Sequence, residues 1–131
     1  MKVVLDTNVL VRYLVWDDEQ QALASAEVIE TADEIIIPSI VLCETMWVLT
    51  RAYRYAASDT IAALRCVIEI RNVTVDRPAA EAGFTMFLQG GDFADGVIAY
   101  EAERNQGAQV VTFDQTFARL ATPGRVRLLA A

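Results

Sequence analysis

Residues 2–14 read KVVLDTNVLVRYL, and the change of period inside that stretch decides the fold. Lys2 to Leu5 is a short run dominated by β-branched and aliphatic side chains without alternation, the pattern of a strand covered on both faces. It ends in an acid, Asp6. From Thr7 onward the apolar residues return at helical spacing, with Val9, Leu10, Tyr13 and Leu14 on one face. A buried strand that runs straight into a helix is half of a βαβ unit. The rest of the chain repeats it: strands at 34–38 (EIIIP), 72–75 (NVTV), 109–113 (QVVTF) and 125–129 (RVRLL) alternate with helical patterns. Those helices cover 17–31, with a stripe of Leu23, Ala24, Ala26, Val28 and Ile29; 40–54, with Ser39 as its expected N-cap; and 58–71, 77–89, 92–107 and 114–121. Gly90 and Gly91 punctuate the chain after the helix from Arg77. Short apolar strands alternating with helices predict an α/β fold with a parallel sheet and helices on both faces.

Composition narrows the chemistry. The 131 residues make one domain's worth of chain, 54% hydrophobic and 22% charged, enough to bury roughly two-thirds of the unfolded surface without staples. Histidine is absent, which removes catalytic triads, His general bases and His-ligated zinc or haem. The formal charge is −7, and the only Lys among 11 cations is Lys2, so the basic side is carried by arginine. Cys43 and Cys66 lie in apolar stretches without metal spacing and read as buried, reduced thiols. The chain opens directly into a strand pattern and holds no apolar run of the ~18–20 residues that span a bilayer, so a cytoplasmic protein is expected.

In open α/β sheets ligands bind at the carboxyl ends of the strands, and acids gather there. Asp6 follows the first strand and Asp114 follows the fourth; each also suits a helix cap or turn. Glu44 stands in IVLCETMWVL, where only it and Thr45 are polar, and shares a stripe with Ile40, Trp47 and Val48, so it is expected to face inward. An inward carboxylate is expensive unless it is paired with a cation or an arginine. In GGDFADGVIA, Asp92 takes the N-cap place and Asp95 falls at N3, beside a face packed on the sheet. Four such acids on one sheet edge repel one another unless Mg²⁺ or Mn²⁺, one ion or two, joins them. Neutralising them takes the formal charge from −7 to −7 + 4 = −3, which reopens a polyanionic substrate.

The stretches VVLDTNVLVRYL (3–14), PSIVLCETMWVL (38–49), DFADGVIAYEA (92–102) and VVTFDQTF (110–117) together resemble a PIN-domain ribonuclease, specifically the VapC-type toxin of a type II toxin–antitoxin pair. The resemblance covers essentially the whole chain, 1–131, as a single PIN domain. It implies a three-layer α/β/α sandwich around a five-stranded parallel sheet. It makes Asp6, Glu44, Asp95 and Asp114 the catalytic and metal-binding acids, accompanied by Asn8 and Thr112; Asp92, read mainly as the helix cap, stands in support. The implied reaction is Mg²⁺- or Mn²⁺-dependent endoribonucleolytic cleavage by a metal-activated water. It also implies an RNA substrate, with Arg12, Arg51 or Arg54 on phosphate, a VapB-type antitoxin partner and a homodimer.

Other acidic α/β folds fit less well. A phosphate-accepting receiver domain needs a late lysine, and Lys2 lies in the first strand. A haloacid-dehalogenase-type phosphatase needs an acid where Asn8 stands, and a nuclease for structured DNA needs insertions that 131 residues do not hold. A catalytically silent PIN-type scaffold that binds protein or RNA is the alternative of a different class.

Overall fold

The structure is a computed structural model and describes residues 1–130. The chain forms two compact units, Met1–Asp76 and Arg77–Ala131. The first contains β1 (Lys2–Val4), α1 (Thr7–Val15), α2 (Glu19–Thr31), β2 (Glu34–Ile36), α3 (Ser39–Trp47), a π-helical turn (Val48–Ala52), α4 (Ala57–Ile68) and β3 (Val73–Thr74). The second contains α5 (Arg77–Leu88), α6 (Phe93–Arg104), β4 (Val110–Thr112), α7 (Gln115–Leu120) and β5 (Val126–Leu128). The alternation read from the sequence is present element by element.

In the first unit the strands lie in the order β1-β2-β3, all parallel, with Val3 opposite Ile35 and Ile35 opposite Val73. Ile35 on the central strand is wholly buried, in a core with Leu5, Leu10, Ile37, Leu42, Met46, Leu49 and Leu64. In the second, β4 pairs with β5 in parallel, Val111 opposite Arg127. Its core is built on Phe84, Phe93 and Phe117, with the first two rings edge to face at 5.3 Å.

Five parallel strands were expected in one sheet. The five are present and every pairing is parallel, but they are hydrogen-bonded as three and two. Strands of two or three residues offer few ladder bonds, and among the described residues β1 spends its bonds on β2 and β4 on β5.

Three local expectations are also corrected. Pro38, not Ser39, holds the N-cap of α3: its extended backbone presents a carbonyl that accepts from the Val41 and Leu42 amides, and Ser39 becomes the first helical residue. The buried stripe of α2 is Ala22, Ser25 and Ile29, whereas Leu23 and Val28 are 55% and 40% exposed and Ala24 is exposed. The Asp18 carboxylate accepts from the Gln21 amide and fixes where that helix starts, and the small residues Ala22 and Ser25 are the ones buried while α2 packs on α1. Cys43 is half-buried and Cys66 exposed, because Cys66 lies on the outer face of α4, opposite Leu64 and Ile68; neither is in a disulfide.

Candidate functional site

In the first unit, Asp6 follows β1 and caps α1, its Oδ1 accepting from the Thr7 amide at 2.7 Å. The Thr7 hydroxyl donates to Glu44 Oε1, also at 2.7 Å. One residue therefore ties both carboxylates to the carboxyl end of β1, Asp6 through its amide and Glu44 through its side chain. Thr7 was not singled out from the sequence; its place between Asp6 and Asn8 was the available signal.

Glu44 does not face inward. It is exposed, with Ile40 and Trp47 beside it at 65% and 57% exposure. The helix is apolar on both sides, and the stripe that packs is the other one, Val41, Leu42, Thr45 and Met46. No arginine pairs with Glu44 among the described residues, so the buried ion pair considered for it is absent.

Asn8, exposed, lines a depression of about 330 Å³ with Asp6, Val9, Arg12, Gln21, Ala24 and Ser25. Arg12 is committed there. Its Nε donates to Gln21 Oε1, and one terminal nitrogen donates to Asp17 at 2.8 Å and to the Tyr53 hydroxyl at 3.1 Å. Tyr53 in turn donates to Asp17 at 2.7 Å. Hydrogen bonding from Tyr53 and the guanidinium of Arg12 holds the Asp17 carboxyl below its ordinary range. Arg51 and Arg54, by contrast, are exposed and carry no ion pair among the described residues.

In the second unit, Asp92 stands at the N-cap of α6 but its side chain makes no capping bond. Asp95, three residues on, is half-buried in the first turn. The helix start is held from behind: a Cβ on Gly96 would lie 2.3 Å from the Ala82 carbonyl oxygen, so α6 rests directly on the backbone of α5. Burial, then the carboxylates of Asp92 and Asp114, push the Asp95 carboxyl up to about 6. Asp114 follows β4 and caps α7, accepting from the Phe117 amide at 3.0 Å. The Thr112 hydroxyl accepts from the Asp114 amide at 3.0 Å, so it shapes the turn that presents Asp114.

Residues 3–123 match the PIN domain family. The chain belongs to the PIN domain family. PIN domains are typically nucleases, hydrolases that act on nucleic acids and generally use divalent metal ions. The match runs through the residues of both units. No curated protein matches the chain significantly.

A PIN domain's divalent ion needs hard oxygen donors, and the chain supplies them. Asp6, Glu44, Asp92, Asp95 and Asp114 have no guanidinium or ammonium partner among the described residues, and burial, then Asp92 and Asp114, drives Asp95 toward its neutral form. Among the described residues no group of three or more such side chains is gathered tightly enough to hold an ion by itself. Mg²⁺ is often held through one or two carboxylates and several waters, so the donor chemistry fits. Among the described residues no helix is long and apolar enough to cross a membrane.

Proposed function

We propose that this PIN domain is a metal-dependent endoribonuclease, the VapC-type toxin of a toxin–antitoxin pair, working as one domain. The observation that carries the reading is the set of unpaired carboxylates. Asp6, Glu44, Asp95 and Asp114 stand without cations, while Lys2, Arg12, Arg104 and Arg125 are engaged by other acids. Within the second unit, burial and then the carboxylates of Asp92 and Asp114 raise the Asp95 carboxyl, so its ionised form is costly unless a cation relieves it.

Asp6, Glu44, Asp95 and Asp114 would hold Mg²⁺ or Mn²⁺, as one ion or two. The bound ion would supply a more acidic water and neutralise charge on the phosphoryl group. The residues of the chain do the rest. Thr7 fixes one oxygen of Asp6 and one of Glu44, which leaves the second oxygen of each free to orient a water or accept its proton. Thr112 and the amide of Phe117 fix Asp114 in the same way. Asn8, exposed beside Asp6, adds an amide for the substrate. In the reaction, water oxygen bonds to phosphorus, the P–O3′ bond breaks and the 3′ oxygen takes a proton. The products are a 5′-phosphate and a 3′-hydroxyl.

A partner and an assembly state complete this reading. An acidic toxin associates quickly with a basic antitoxin tail, and a homodimer is expected in solution. A short reading frame directly upstream encoding a small DNA-binding protein would support the pairing.

The catalytically silent scaffold is the second reading, favoured by the lack of a preformed group of three acids among the described residues. One experiment separates the two. Wild type and Asp6→Asn are incubated with total RNA and Mg²⁺, with and without EDTA. The nuclease cuts at few sites, stops with chelator and is lost in the variant. RNA that stays intact with wild type and Mg²⁺ sinks the nuclease and leaves the scaffold.

A further inference from the structure

Large apolar side chains usually find cover, and Trp47 has not. It is 57% exposed, and it lies one helical turn from Glu44 on a stripe with Ile40. Burying an indole is worth more than almost any other side-chain burial, and the same helix buries Val41, Leu42, Thr45 and Met46 on its other face. Directly after Trp47 the α-helix gives way to the π-helical turn Val48–Ala52, in which the Tyr53 amide bonds back to the Val48 carbonyl. Such turns are rare in helices and frequent at functional sites. Beyond it stand Arg51 and Arg54, exposed and free of ion pairs among the described residues, in a chain of net charge −7 whose Arg12 is already spent on Asp17. Arg54 also holds a left-handed backbone, φ 57°.

We infer that the exposed face of α3 and the turn after it form a single-strand RNA subsite, with Trp47 stacking on a base next to the cleaved phosphodiester and Arg51 binding the phosphate beyond it. This rests on the nuclease reading above. An indole face accepts any base, and an arginine one turn further along the helix meets the backbone of the same strand. Charge decides the occupant. Glu44, Trp47 and Arg51 in sequence present an acid where a cation-bound phosphate would be cut, a platform, and a cation for the next phosphate. Stacking on aromatics with a basic flank is how single strands are held without base-pair readout. Trp47 is thus a positioning residue for substrate.

The test makes Trp47 the sole indole. The chain has two tryptophans, and Trp16→Phe removes the other; Asp6→Asn in the same chain keeps RNA intact. An unstructured RNA of about eight nucleotides, within the usual single-strand site size, is titrated against Trp47 fluorescence. Saturable quenching is expected, and an abasic ribose-phosphate strand of equal length quenches little. In binding by competition, Trp47→Ala weakens affinity about 5- to 100-fold and Trp47→Phe restores most of it, as stacking predicts. Arg51→Gln lowers the slope of log affinity against log salt by about 0.7, one phosphate's share on a single strand. RNA binding with unchanged Trp47 emission, or Trp47→Ala binding as tightly as its parent, overturns the subsite. Trp47 emission that changes with protein concentration and not with RNA assigns the face to a second copy and also overturns it. Chelator-sensitive cleavage by the Trp16→Phe chain is run in parallel. Cleavage without a Trp47 signal removes only the subsite, whereas neither cleavage nor binding removes the nuclease reading and the subsite with it.

Discussion

Asp95 is the residue whose environment says most about its use. In a helix's first turn a carboxylate is ordinarily favoured by the dipole, yet burial and the charges of Asp92 and Asp114 raise it to about 6. The unfolded chain releases this proton near 3.8 and the folded chain near 6, so between those values the folded state holds more proton. Stability contributed by this group therefore falls as pH rises through that window and stays low above it. Asp95→Asn removes the burden. In the metal-free protein it should be more stable than wild type by about 1 kcal/mol above pH 6, a figure kept small for solvent screening. The difference should vanish below about pH 4, read from denaturant midpoints at a series of pH values. Equal stability at pH 7 would mean that neither burial nor the neighbouring acids burden Asp95. The sequence put Asp92 at a helix cap, Asp95 in a first turn and Asp114 at a strand end, as the structure has them, because caps and strand ends are local. It misplaced Glu44, because a helix apolar all round has no stripe that announces which side is inner, and that choice belongs to tertiary packing.

At the scale of elements, two contacts fix the helices that carry the acids. Gly96 lets α6 lie on the Ala82 carbonyl, and Gly83 lets the Phe93 ring approach α5 to within 2.5 Å of where a Cβ would stand. In an exposed helix Gly→Ala gains up to about 1 kcal/mol. Here Gly96→Ala should instead lose about 2 kcal/mol or more through overpacking against backbone, visible as a lowered thermal midpoint and weaker cleavage, since Asp95 is the adjacent residue. In α3 the opposite opportunity exists. Thr45 is wholly buried and its hydroxyl has no hydrogen-bond partner among the described residues. Thr45→Val keeps the shape and removes the stranded group, so a gain of about 1 kcal/mol is expected by denaturation. Cleavage should be unchanged, because Thr45 lies on the buried stripe of α3 and Glu44 on its exposed side. The helix and strand pattern was legible from residues 2–14 outward because each element declares its own period. The pairing of strands as three and two was not, since β-runs of two or three residues specify neither neighbour nor edge.

For the molecule as a whole, charge sets the order of events. At −7 the chain repels RNA, and its exposed, unpaired arginines act against that field. If the carboxylates of Asp6 and Glu44 lie on the path of the substrate, their effect on binding must change sign with the cation. In EDTA the double variant Asp6→Asn, Glu44→Gln should bind a short RNA about two- to five-fold tighter than wild type, because two repelling charges are gone at a range salt screens only in part. With Mg²⁺ present the order should reverse in the first seconds of mixing, before cleavage depletes the wild-type complex: wild type recruits the ion that bridges to phosphate, and the variant does not. Mg²⁺ should likewise raise the thermal midpoint of wild type and leave that of the double variant nearly unchanged. A scaffold that binds RNA on some other face would show one affinity for both proteins in both buffers, since charges remote from the strand are screened within about 10 Å at ordinary salt. The sign reversal thus tests whether acids that repel the substrate of the apo chain are kept for a cation that turns the repulsion into attraction.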